Sequence, residues 1–232
     1  MTHAAIIAGV GPGFCESFAW KLAREGHPVG LFGRSEAYLE SVASALQAEG
    51  FEAIAVPTDV TDPAAVEAGV KTVRGKFGPV SVLAYTASTV TDAPEDGVDP
   101  ARMKALWELY TYGSVLCVNT LLSDLRETHG TILFFGAAPG TGDIAYQSAK
   151  AGARGFARAL ANETAAKGVH VTHVVIDGGL LNPDVYDQKE PLDEGAYIDI
   201  DATAETCYHL IEQPARAQTF ELDLHGRSIS IP

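Results

Sequence analysis

Tyr146 and Lys150 stand four residues apart in Ala145-Tyr146-Gln147-Ser148-Ala149-Lys150, at the head of a small-residue stretch that reads as a helix. That spacing puts both side chains on one helix face, one turn apart. A free tyrosine titrates near ~10 and exchanges protons poorly at neutral pH. An ammonium within about 4–6 Å favours the phenolate and brings the hydroxyl toward the working range. The pair is therefore an acid/base device. The spacing alone is common, and an exposed Tyr/Lys face is the plain alternative, so its meaning depends on what surrounds it.

A second constellation lies at the start of the chain. The apolar run 4–8 ends in Gly9-Val10-Gly11-Pro12-Gly13-Phe14 and opens a helix. Glycines let a backbone approach a pyrophosphate, and the helix N-terminus supplies unpaired N–H groups and the positive end of its dipole. The dinucleotide pattern G-x-G-x-x-G fits in part, with Phe14 where the third glycine would stand; a tight glycine turn without a ligand is the alternative. The next strand ends in Gly33-Arg34-Ser35. An acid there would bind a ribose 2′-hydroxyl, whereas an arginine pairs with a 2′-phosphate. NADP(H) is therefore expected over NAD(H).

The rest of the composition narrows the class. The 232 residues carry a net charge of −14, which disfavours nucleic acid and anionic membrane as partners. Cys15, Cys117 and Cys207 are widely spaced, fitting reduced thiols, and no histidine groups with acids or cysteines as metal ligands do. No leader is read before the first strand, and the longest uncharged run, 109–123, is too short to span a bilayer. A cytoplasmic protein is expected.

The elements that must position these residues alternate. Strands are read at 4–8, 29–32, 53–56, 80–85, 131–135, 169–176 and 219–224. Helices are read at 13–25, 35–49, from Asp62-Pro63 onward, 99–122 with an interruption at Gly113, 146–167 and 202–212. The strands are continuous apolar runs, so both sheet faces are covered. Repeated β-α units of this length give one α/β domain with a doubly wound, parallel, Rossmann-like sheet over 1–232. Trp20, Trp107 and Phe156 fall at helical spacings that suit a core. The acidic, Pro- and Gly-containing stretch 182–201 is either a disordered loop or a substrate lid.

With these residues in hand, the chain resembles the short-chain dehydrogenase/reductase family over nearly its whole length. Gly9 and Gly13 match the first two glycines of the family's G-x-x-x-G-x-G, and Cys15 replaces the last. Asp59-Val60 is similar to the Asp-Val after the third strand, whose Asp contacts the adenine. Ala87 matches the family's Asn-Asn-Ala-Gly, and Gly178 stands where Pro-Gly usually lies beside the nicotinamide. Tyr146 and Lys150 match the active-site Tyr-x-x-x-Lys, which implies that Tyr146 exchanges a proton with the substrate oxygen. Lys150 would bind the nicotinamide ribose and lower the tyrosine's pKa. The resemblance also implies a homodimer or homotetramer built on the 99–122 helix and the Tyr146 helix.

Two members of the usual catalytic set are missing. After the fifth strand, Gly136-Ala137-Ala138-Pro139-Gly140 has no serine to polarise a carbonyl, and the helix asparagine that helps hold a proton-relay water aligns with Tyr110. Thr141, Thr86, Ser88 and Tyr110 are the candidate replacements. The expected function is NADP(H)-dependent hydride transfer between nicotinamide and a small carbonyl or alcohol. The alternatives are a degenerate, cofactor-binding sensor or partner subunit, and non-redox proton transfer on the same fold.

Overall fold

The computed structural model describes residues 2–89, 93–94, 96–140, 142–180 and 197–226. Seven strands form one sheet: β1 (Ala4–Ala8), β2 (Val29–Gly33), β3 (Ala53–Pro57), β4 (Val80–Tyr85), β5 (Thr131–Ala137), β6 (His170–Asp177) and β7 (Glu221–His225). All neighbouring pairs are parallel, in the order β3-β2-β1-β4-β5-β6-β7. Seven α-helices complete it: α1 (Phe14–Arg24), α2 (Glu36–Ala48), α3 (Pro63–Phe77), α4 (Pro100–Trp107), α5 (Gly113–Glu127), α6 (Ile144–Thr164) and α7 (Ile200–Ile211). The expected doubly wound α/β architecture is the observed one.

The reason lies in the strands. Every residue of β1 and β2 is buried, so neither sheet face can be left to water. One face packs Val66, Val70, Leu121, Phe134 and Ala157, beneath α3, α5 and α6. The other packs Phe18, Leu22, Leu39, Leu46 and Leu210, beneath α1, α2 and α7. Aspartates start four helices: the Asp62, Asp99, Asp143 and Asp199 carboxylates each accept a backbone N–H of the first turn. Chain order reverses between β1 and β4, and that switch point opens a crevice at the carboxyl ends of the strands.

The structure departs from the sequence reading in three places. The expected long helix runs on to Glu127, and a π-helical turn over Glu108–Tyr112 separates α4 from α5. The Tyr85 hydroxyl donates to the Leu109 carbonyl inside that turn. Gly113 lets the turn press on the sheet, because a Cβ there would run into the Tyr85 hydroxyl and lie 2.9 Å from the Val60 carbonyl. Trp107 is not a core residue: it is 46% exposed and stacks on Tyr112. Finally, 182–196 of the expected loop or lid lies outside the described residues, while Asp199 caps α7 and 200–201 already belong to it.

Candidate active site

The glycine turn after β1 is built on close backbone approach. Gly9 has φ 112°, and a Cβ on it would collide with the Ala87 backbone. Gly13 has φ 98° and caps α1 without a side-chain bond. Cys15 Sγ lies 3.5 Å from the Gly9 carbonyl and ties the turn to the helix; burial pushes its thiol up. Phe14 is buried, with its ring centroid 5.0 Å from that of Phe135. Its side chain therefore belongs to the core, and only its backbone N–H is left for a ligand in the crevice.

A cavity of about 640 Å³ occupies the crevice. Arg34, Ser35, Asp59, Gly9, Val60, Ala87 and Ser88 line it, and Arg102 and Leu106 of α4 form its far wall. Arg34 is exposed. Ser35 caps α2 without spending its hydroxyl on the cap. The Asp59 carboxylate accepts the Thr61 N–H at 2.9 Å and hydroxyl at 2.7 Å. Those two bonds and the Arg34 charge hold its pKa below the ordinary value. Gly178 follows β6 with φ 145°, and the next residue, Gly179, bridges to Tyr197.

Tyr146 and Lys150 sit in the first two turns of α6. The Asp143 carboxylate caps that helix, accepting the Ala145 N–H at 2.8 Å and that of Tyr146 itself at 3.2 Å. Arg102 grips both Asp143 oxygens at 2.7 Å, and this pairing first, then the cap bonds, holds the carboxyl at about 2. Sequence reasoning missed both residues. The only signal was an acid three positions ahead of the tyrosine.

Lys150 Nζ donates to the Phe135 carbonyl at 3.0 Å. The ammonium lies 4.2 Å from the Tyr110 ring centroid and 5.7 Å from that of Tyr146. Burial lowers Lys150 to about 8. The Tyr146 hydroxyl moves the other way from the sequence expectation: burial, then Tyr110, push it up to about 12. The physical reason is orientation. The shared helix face brings lysine and tyrosine together, but the cation turns onto Tyr110, whose ring meets Tyr146 edge-on at 5.5 Å.

The candidate serine replacements are largely committed elsewhere. Thr86 donates toward the Ala8 and Gly9 carbonyls. The Tyr110 hydroxyl donates to the Thr89 carbonyl at 3.2 Å, accepts the Thr89 N–H at 3.3 Å, and lies 3.3 Å from Ser88 Oγ. Thr141 lies outside the described residues. Among the described residues no hydroxyl is hydrogen-bonded to that of Tyr146.

The short chain dehydrogenase family model matches residues 3–189. The chain is similar to the 3-oxoacyl-(acyl-carrier-protein) reductase of Staphylococcus aureus, 28% identical over 180 residues, covering 75% of this chain and 73% of the relative. It is similar to the enzyme of that name from Synechocystis, 28% identical with 94% of each chain covered. Among solved structures, an alcohol dehydrogenase from Thermococcus sibiricus complexed with 5-hydroxy-NADP superposes with a TM-score of 0.87 at 24% identity, covering 100% of both chains. L-sorbose reductase from Gluconobacter frateurii, complexed with NADPH and L-sorbose, gives 0.83 at 20% identity, covering 99% and 98%. These two structures establish likeness of fold.

Proposed function

Because the chain belongs to the short-chain dehydrogenase family, we propose that it is an NADP(H)-dependent oxidoreductase that moves hydride between nicotinamide and a carbonyl/alcohol carbon. The observation that carries this reading is the Tyr146–Lys150 pair, one helical turn apart on α6, whose capping Asp143 is gripped by Arg102 of the cavity wall. The residues present fit the cofactor. Exposed Arg34 and the unspent Ser35 hydroxyl suit a 2′-phosphate, and the Gly9–Ala87 contact keeps side chains out of the turn where the Gly13 and Phe14 backbone would take pyrophosphate. On this reading Asp59 and Val60 would meet the adenine and Gly178 the nicotinamide.

Bound NADP(H) would supply the hydride. The chain's own work is proton transfer and orientation. Tyr146 gives a proton to the substrate oxygen during reduction and recovers it afterwards. Lys150, largely protonated at neutral pH, supplies the positive charge that steadies the phenolate. The substrate would be a small carbonyl or alcohol compound, and the enzyme a cytoplasmic homodimer or homotetramer. Without the usual serine the developing oxyanion is one donor short, a deficit of about two to three orders of magnitude in rate.

That deficit supports a second reading, a cofactor-binding protein with little turnover. No hydroxyl among the described residues is bonded to Tyr146, and the phenol is pushed up, away from the working range. A panel of carbonyl compounds followed by NADPH absorbance separates the two. Turnover that disappears in Tyr146→Phe, with NADPH affinity kept, supports the reductase. Tight NADPH binding without turnover of any carbonyl transfers the assignment to the second reading.

A further inference from the structure

The π-helical turn over Glu108–Tyr112 is an uncommon element, and such turns gather at functional sites. Three consecutive residues of it are tied to three different parts of the fold. The Tyr85 hydroxyl of β4 donates to the Leu109 carbonyl. The Thr111 hydroxyl donates to the Ala149 carbonyl of α6 at 2.9 Å, and Gly152 leaves it room, since a Cβ there would lie 2.7 Å from Thr111 Oγ1. Between them, the Tyr110 hydroxyl exchanges hydrogen bonds with the Thr89 backbone, beyond the end of β4.

These ties fix the Tyr110 side chain, which is 2% exposed. Its hydroxyl end lies against Ser88 and Thr89, and its ring meets that of Tyr146 edge-on at 5.5 Å. The ammonium of half-buried Lys150 lies 4.2 Å from the Tyr110 centroid, 5.7 Å from that of Tyr146, and donates to the Phe135 carbonyl at 3.0 Å. Around Tyr146 there also stand the Asp143 carboxylate at the cap of α6 and Arg102 of α4, which grips it.

We propose that Tyr110 is a positioning residue for the acid/base pair: the π-helical turn presents its ring to the Lys150 ammonium, holds the charge there, and so limits how far Lys150 assists Tyr146. This rests on the Tyr146–Lys150 reading above. An ammonium is attracted to the face of an aromatic ring within about 6 Å of its centroid, and both rings lie inside that range. Tyr110 has the shorter approach, and its place is set by the turn. The Tyr110 hydroxyl is an anchor to the loop after β4, and the working part of the residue is its π face. The Tyr146 hydroxyl agrees with this arrangement, since burial and then Tyr110 push it up and the ammonium does not offset them.

Tyr110→Met fills the space without a π face, whereas Tyr110→Phe keeps the face and loses the hydroxyl. On protein with 13C-labelled lysine and no cofactor, the Lys150 ε-methylene protons are assigned against Lys150→Met. They should lie upfield of those of the other lysines in the parent and in Tyr110→Phe, and return to the ordinary position in Tyr110→Met. The Tyr146 phenol, followed with 13C-labelled tyrosine and assigned against Tyr146→Phe, should titrate about one unit lower in Tyr110→Met than in Tyr110→Phe. In turnover of an alcohol, the pH limb set by Tyr146 should move by the same amount. A parent without the upfield signal, its loss in Tyr110→Phe, or a Tyr110→Met variant with the Lys150 signal and the Tyr146 titration both unchanged overturns the proposal. If Tyr110→Met does not fold, the parent and Tyr110→Phe spectra decide. A parent with no turnover, or an active Tyr146→Phe, defeats the reductase reading instead, and the lysine and tyrosine signals still decide the role of Tyr110.

Discussion

Lys150 faces Tyr110 more closely than it faces Tyr146, at 4.2 against 5.7 Å from the ring centroids. The residue that replaces the family's asparagine thus holds the cation with its π face, an attraction of about 0.5–2 kcal/mol. That does not offset burial, since the ammonium still falls to about 8. A desolvated, part-buried lysine of this kind is retained at a cost to stability.

The cost has a definite pH window. The folded-state pKa lies below the unfolded one, so the charged form opposes folding. The penalty is fully present below pH ~8 and fades between ~8 and ~10.5, where only the unfolded chain keeps the proton. Lys150→Met should therefore be more stable than the parent at pH 7, by up to about 3 kcal/mol. The advantage should shrink as pH rises through that window. Urea midpoints measured at pH 7 and pH 10.5 check it; a variant less stable than the parent at pH 7 contradicts the account.

Arg34 sets the cofactor preference. It stands exposed beside Asp59, whose negative charge its own charge stabilises, and close to the unspent Ser35 hydroxyl. A charge-assisted bond to a 2′-phosphate contributes about 1.5–3 kcal/mol, more than tenfold in affinity. Arg34→Ala should weaken NADPH by that factor and leave NADH nearly unchanged. Calorimetric titration of both cofactors decides, and equal losses for the two would remove Arg34 from the site.

How much of this was legible depended on the kind of regularity. The strands could be read because a parallel sheet covered on both faces needs unbroken apolar runs, as in β1 and β2. The helix starts could be read where Asp-Pro gives both cap and first turn, as at Asp62 and Asp99. Periodicity failed at Trp107 because the π-helical turn after it adds a residue to the helix repeat and swings that face to solvent. Motif position suggested Phe14 as a cofactor contact, but its ring is drawn into the core against Phe135. The spacing of Tyr146 and Lys150 gave their shared face, yet no spacing shows which of two rings a flexible ammonium will choose. The Arg102–Asp143 and His173–Glu221 pairs join residues 41 and 48 positions apart, beyond the reach of any local pattern.

The exposed face of α4 and the turn after it supports a test of assembly. Val98, Met103, Trp107 and Tyr112 are all more than a third exposed, an unusual concentration of apolar surface for so short a stretch. Across from it, Gly152 on α6 lets the chain pack to 3.6 Å of the Trp107 ring nitrogen, measured from where its Cβ would be. A dimer or tetramer that buries this face is expected in light scattering at micromolar concentration, and Trp107→Glu should shift it toward monomer. A parent that scatters as a monomer refutes the assembly.

Arg102 is expected to position Tyr146 through Asp143. The arginine comes from α4 at the cavity wall and the carboxylate from the residue before α6, and the same Asp143 oxygen accepts the Tyr146 N–H. The site is thereby braced across the crevice by one carboxylate that does two jobs. Asp143→Asn keeps an acceptor for the helix cap and loses the ion pair; Asp143→Ala loses both. Activity should fall in the order parent, Asn, Ala, through kcat, with NADPH affinity held, because the brace acts on the tyrosine and not on the Arg34 end. The pH dependence has a sign as well. The folded carboxyl titrates at about 2 against an ordinary 3.8, so its contribution to stability is present above pH ~4 and is lost as pH falls toward 2. Acid unfolding of the Asp143→Asn variant should lack that component. Equal kcat in all three proteins, or an acid limb unchanged by the substitution, would show that Tyr146 is held without Asp143.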